Sequence, residues 1–115
     1  MKKSLQLFFG FLIIVAIIIW SGVFSTASTA DNNLQIYFLS VGQGDSEYIK
    51  LPNGQDILID GGPDSSVLSK LGNVMSLGDR EINLVVLTHP HADHLAGLVD
   101  VLKRYKVDEV WETGV

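Results

Sequence analysis

The chain contains no cysteine, which excludes disulfides and every thiolate metal site. A stable fold must therefore rest on packing, or on a metal held by nitrogen and oxygen. Histidine is equally scarce: there are three, and all of them fall between His89 and His94. Basic residues are few, eight against thirteen acidic ones, for a net charge of −5. Setting aside Lys2 and Lys3 leaves six basic residues against thirteen acidic, a net −7 for the rest of the chain. That balance does not indicate a generic phosphate-binding surface, so an anionic substrate would need positive charge supplied locally. Lys103, Arg104 and Lys106 are too few to make a nucleic-acid track. No internal repeat is visible.

What is abundant is apolar sequence at the N-terminus. After Lys2 and Lys3, the chain is apolar almost without break from Leu7 to Phe24, and small residues follow up to Ala30. A basic start, an apolar run and a small-residue end follow the plan of a secretory signal. The run of 18 residues is longer than the roughly 7–15 of a signal core and approaches the ~20 that span a bilayer. An uncleaved membrane anchor is the favoured reading; a signal cleaved after Ser28-Thr29-Ala30 is the alternative. In either case Lys2 and Lys3 stay on the cytoplasmic side and the rest lies outside. Residues 1–30 are thus expected to form the anchor or signal, and residues 31–115 an 85-residue soluble part, at the small end of the domain range.

Past a polar linker (Asp31-Asn32-Asn33), LQIYFLSV, SEYIKL and DILID read as three strands: Leu34–Val41, Ser46–Leu51 and Asp56–Asp60. Gly42 and Gly44 interrupt the first pair, as a bulge or as a close approach to a ligand. Asn53-Gly54 supplies the turn between the second and third. A short helix capped by Asp64 or Ser65 presents Val67, Leu68 and Leu71 and closes at Gly72. Ile82–Thr88 reads as a strand whose apolar run, Leu84–Leu87, is that of a central strand covered on both faces. Leu95, Leu98, Val99 and Leu102 keep helical spacing, and a last strand begins at Val107. The class is mixed α/β: a β meander followed by a βαβ-like unit.

The three histidines sit at the end of that apolar strand, in His89-Pro90-His91-Ala92-Asp93-His94. In extended backbone, residues two apart share a side, so His89, His91 and Asp93 project together. His94, at the start of the helix, turns a fourth donor toward the same space. Imidazole nitrogen and carboxylate oxygen suit zinc, and also manganese or iron. Taken singly, Asp93 would be an N-cap and a loop histidine ordinary polar surface; four such donors together favour one metal site or a pair. Two metal ions about 3.5–4 Å apart can activate water for an in-line displacement, and they would bring the positive charge this acidic chain lacks. Asp60, at a strand end, reads either as a turn cap or as a carboxylate orienting a ligand histidine.

His89–His94 resembles the HxHxDH signature of the metallo-β-lactamase superfamily of di-metal hydrolases. FLSVGQGDS (Phe38–Ser46), ILIDGG (Ile57–Gly62) and VVLTHPHADHLAGL (Val85–Leu98) together look like its ComEC-like branch, the hydrolase domain of a competence protein. The resemblance covers most of Leu34–Val115. It implies an αββα sandwich with the active site at the sheet edges and two divalent metal ions, zinc first among the choices. By that resemblance His89 and His91 hold one metal, Asp93 and His94 the other, Asp93 also positions the attacking water, and Asp60 supports the site. It further implies an extracytoplasmic domain acting on DNA or another phosphodiester. Ser40 departs from the aspartate common in that branch. The family completes its sites with later histidines, a bridging aspartate and a second half-sandwich, so this sequence is expected to represent the N-terminal part of the domain, inactive without the remainder of the chain. A lactamase or thioesterase of the same fold is the enzymatic alternative. A non-catalytic, surface-displayed metal-binding or interaction module is the alternative of another class.

Overall fold

A computed structural model describes residues 1–24 and 32–114. The expected cleavage end Ser28-Thr29-Ala30, the domain boundary at residue 30 and Asp31 of the linker lie outside the described residues.

The apolar run forms helix α1, Lys2–Phe24. At 1.5 Å per residue its 23 residues extend about 35 Å, enough to cross a hydrocarbon core of ~30 Å. Its leucine, isoleucine, phenylalanine and tryptophan side chains from Leu5 to Trp20 are exposed. The hydroxyls of Ser4 and Ser21 donate to the carbonyls of Met1 and Ile18, so these polar groups are satisfied within the helix itself. One apolar helix of this kind fits a membrane anchor and a signal sequence alike.

The expected meander is present as strands β1 (Gln35–Phe38), β2 (Glu47–Lys50) and β3 (Asp56–Ile59), paired antiparallel in order. Its second turn closes with Leu51 N–H donating to Gln55 O, and Gly54 supplies φ +87°, a conformation in which a side chain would be strained. Helix α2 (Ser66–Val74) then leads to β4 (Glu81–Leu87), and helix α3 (Ala92–Arg104) to β5 (Lys106–Glu112). Both crossovers return parallel, giving one five-stranded sheet in the order β1-β2-β3-β4-β5. The βαβ unit expected around the histidines is therefore one of two.

The two helices touch each other and cover the same sheet face. Under them runs a cross-strand row, Tyr48–Leu58–Val85, each member at most 1% exposed. Val67 and Leu71 of α2 and Leu98 and Val101 of α3 close over it. At the far end from the histidines, Asp56 stitches three strands together. It accepts hydrogen bonds from the Tyr48 hydroxyl and the Asn83 N–H, and its own N–H donates to Asn83 Oδ1.

Three expectations need correction. Helix α2 does not close at Gly72 but runs to Val74. Glycine costs about 1 kcal/mol in a helix interior, and here burial of Met75 and a hydrogen bond from Lys50 Nζ to Val74 O (2.6 Å) hold the last turn. The cap bond comes from Asp64, which accepts from Ser66 N–H, while Ser65, at the N-cap position, makes none. Second, α3 begins at Ala92, so Asp93 lies inside its first turn and His91 holds the N-cap position. Third, β4 is covered on one face only among the described residues. Val85 and Leu87 are buried, but Leu84 and Val86 are half-buried. They belong to an outer face whose rows read Ile36–Ile49–Ile57–Leu84 and Phe38–Glu47–Ile59–Val86–Trp111. Phe38 and Trp111 are 78% and 60% exposed there.

Candidate metal centre

The site forms where β3 and β4 end and α3 begins. Beyond Ile59, Asp60 takes φ +55°, the single non-glycine residue with positive φ among the described residues. This left-handed backbone turns the chain while Asp60 N–H still donates to Val86 O (2.8 Å). Gly61 and Gly62 then dock onto α3: Gly61 N–H donates to His94 O, and Gly97 N–H donates to Gly62 O. A Cβ on Gly97 would stand 1.8 Å from Gly61 O. Backbone thus packs on backbone, and this seam seats the first turn of α3 over the end of β3.

The GQGD loop closes the other side. Gly42 has φ +87° with open space around it, while a Cβ on Gly44 would stand 1.9 Å from Asp93 O. The close approach at Gly44 is to the backbone of Asp93, a neighbouring segment of the chain, rather than to a ligand. Asp45 O accepts from Gly62 N–H, so all three sequence motifs meet at one place.

The structure brings every expected site residue together. The ligand-type atoms of Asp60, His89 and His94 lie within 4.8 Å of one another, and so do those of His89, His91 and Asp93. His89 belongs to both groups, its ring centroid 3.9 Å from that of His94 and 4.7 Å from that of His91. His94 is buried and His91 exposed. Asp93 Oδ2 stands 3.7 Å from His94 Nε2.

Beneath the rings, Asp60 is 3% exposed and its acceptors are occupied. Oδ1 accepts from Thr88 N–H (2.8 Å); Oδ2 accepts from the Thr88 hydroxyl (2.6 Å) and from His94 Nδ1 (2.7 Å). A carboxylate only accepts, so His94 carries its proton on Nδ1 and leaves Nε2 on the side of Asp93 Oδ2. The bond to Asp60 raises the His94 pKa above the ordinary imidazole value, against an opposing effect of burial; the charges of Asp60, Asp93 and Asp45 add to the rise.

Two contributors escaped the sequence reading. Thr88 looked like the last residue of a strand, yet its hydroxyl joins Asp60 to His89 (Oγ1 to Nδ1, 2.9 Å). Asp45, read only as part of FLSVGQGDS, adds its charge to the rise at His94. The signal for Thr88 was a hydroxyl directly before the first histidine.

The α/β layer thus gathers three imidazoles and two carboxylates near its strand ends, in two groups close enough to hold a metal ion. The sequence matches the model of the "Metallo-beta-lactamase superfamily" over residues 39–114, and the chain belongs to that superfamily. Among solved structures it is similar to "Rm3 metallo-beta-lactamase", with 29% sequence identity and a TM-score of 0.45, over 61% of this chain and 26% of that one. The chain thus spans about a quarter of that protein's length. No curated protein matches it. Members of the superfamily are usually hydrolases that bind divalent metal ions, and the donor set here fits such ions: neutral imidazole and carboxylate, without thiolate.

Proposed function

We propose that this chain is part of a membrane-anchored, ComEC-like hydrolase whose metal centre directs water at a phosphodiester or another ester. The observation that carries the reading is the meeting at His89 of two donor groups, Asp60–His89–His94 and His89–His91–Asp93, with the buried Asp60 carboxylate holding His94 in position. In this reading His89 and His91 hold one divalent ion and Asp93 and His94 a second, zinc being favoured over manganese or iron. Bound there, the ions would supply Lewis acidity and activate water. With the ions bound, Asp93 would position the attacking water, and Asp60, through its bond to Nδ1, would hold the His94 ring with Nε2 available as a donor. DNA as the phosphodiester rests on the ComEC-like motifs alone, because the acidic chain offers no basic track of its own. Helix α1 has the length to hold the domain at a membrane, and Lys2 and Lys3 favour placing that domain outside.

The test is hydrolysis by the protein as its complete reading frame encodes it, loaded with zinc or manganese. The substrates are a diaryl phosphodiester, single-stranded DNA, a chromogenic β-lactam and a thioester. Phosphodiester turnover that falls at least about 100-fold in His91→Ala supports the proposal, an effect of the size expected when an essential group is lost. Turnover of the β-lactam or thioester alone would move the assignment to another chemistry of the same fold. Tight metal binding with no turnover of any substrate would favour a non-catalytic metal-binding module.

A further inference from the structure

Thr88 stands between the two halves of the cluster, and its hydroxyl has a single proton to place. Its two partners are Asp60 Oδ2 at 2.6 Å and His89 Nδ1 at 2.9 Å. Asp60, as a carboxylate, can only accept, and 2.6 Å is the length of a hydroxyl donating to a charged oxygen. The Thr88 proton therefore points at Asp60. Its oxygen is left to accept, so His89 must carry its proton on Nδ1.

The same carboxylate oxygen accepts from His94 Nδ1 at 2.7 Å. Asp60 thus sets the tautomer of two rings, His94 directly and His89 through one hydroxyl. We infer that Thr88 is a positioning residue: it relays the Asp60 carboxylate to His89 and fixes that ring with its Nε2 lone pair free toward the cluster. The inference rests on the reading of His89 and His94 as metal ligands, where a free Nε2 is what a divalent ion requires.

The backbone supports the relay independently of the hydroxyl. Thr88 N–H donates to Asp60 Oδ1 (2.8 Å), and Asp60 N–H donates to Val86 O (2.8 Å). These bonds hold Thr88 against Asp60 whichever side chain is present. Replacement of the hydroxyl should therefore cut the relay to His89 and leave the Asp60–His94 bond in place. Thr88 is itself exposed, so an isosteric valine has room without disturbing the core.

The experiment compares the wild-type chain with Thr88→Val and Thr88→Ser, each as the full chain in detergent micelles. Ring-nitrogen NMR of the metal-free proteins at about pH 8.5, about two units above the ordinary imidazole value, reads the tautomers; zinc titration by calorimetry reads affinity. In the wild type both His89 and His94 should show a protonated Nδ1. In Thr88→Val, His89 should shift to a mixture or to the Nε2-protonated form while His94 stays as it was, which also shows that the variant is folded. Zinc affinity should fall about 10–100-fold in Thr88→Val, the usual effect of losing a partner of a ligand histidine, and Thr88→Ser should restore it. An unchanged His89 tautomer in Thr88→Val overturns the relay, as does a Thr88→Ser variant no better than valine. A shifted tautomer with unchanged zinc affinity overturns the positioning role. Failure of the wild type to bind zinc while the tautomers follow the hydroxyl would instead remove the metal reading itself.

Discussion

Asp60 combines a costly backbone with three hydrogen bonds. Its φ of +55° is a conformation that aspartate and asparagine tolerate better than other non-glycine residues. Asparagine in its place would keep the turn but replace one acceptor oxygen with an amide that donates. It could then no longer accept from both Thr88 N–H, at the Oδ1 position, and His94 Nδ1, at the Oδ2 position. Asp60→Asn should therefore lower zinc affinity about 10–100-fold, as expected for the loss of a partner to a ligand histidine, with little change in the far-UV circular dichroism. Calorimetric titration of variant and wild type checks this; equal affinity would mean that Asp60 orients nothing of consequence. At this scale the sequence was informative about residue type and silent about contact. His89, His91, Asp93 and His94 could be read as one group because they lie within six positions. Thr88 and Asp45 could not, because a hydroxyl's proton and a loop's docking depend on chain segments more than 25 positions apart.

The strands and helices were legible wherever apolar periodicity was strong. β3, β4 and α3 fall close to their expected ranges, whereas β1 is shorter, Gln35–Phe38; one further bond, Leu39 N–H to Ser46 O, closes its ladder with β2 before the Gly42–Asp45 loop. Glycines divide into two kinds that sequence alone cannot separate. At Gly97 an added Cβ would stand 1.8 Å from Gly61 O, while at Gly72 it meets nothing within 4 Å. Gly97→Ala should thus prise α3 from the end of β3, costing roughly 1–3 kcal/mol or more as overpacking does. Gly72→Ala, within α2, should stabilise by up to about 1 kcal/mol. Thermal melting of both variants checks the pair; the same sign for both would contradict the seam. The stitch at Asp56 has a pH signature. Burial, followed by the hydrogen bond to Asp56, raises the Tyr48 pKa well above its ordinary value. A raised folded pKa contributes stability that is complete below the unfolded value of about 10 and is lost as pH climbs above it. Melting temperature should accordingly drop above about pH 10 in the wild type, and more shallowly in Tyr48→Phe; identical slopes would rule out Tyr48 as the cause.

Over the whole molecule, the sequence conveyed the division of labour between an apolar helix and an α/β layer, and the family to which the layer belongs. It also led to the expectation of cover on both faces of β4, which one pair of helices does not provide. A sequence shows that a strand is apolar on both sides without showing what lies against each. The anchor proposed for α1 is open to direct test. Arginine at Ile14 and Ile18, near the middle of Lys2–Phe24, costs about 2.5–3.5 kcal/mol per residue at a bilayer centre. The double variant should pass from the alkali-resistant membrane fraction to the soluble one or fail to be exported; retention in the membrane would mean that α1 does not anchor the chain. The central claim, that the histidine cluster is a metal centre, is tested most directly by zinc binding of the full chain and of His89→Ala. Because His89 belongs to both donor groups, the wild type should bind zinc with stoichiometric uptake at micromolar metal and His89→Ala should lose it. No uptake by the wild type, or uptake that survives His89→Ala, would contradict the account.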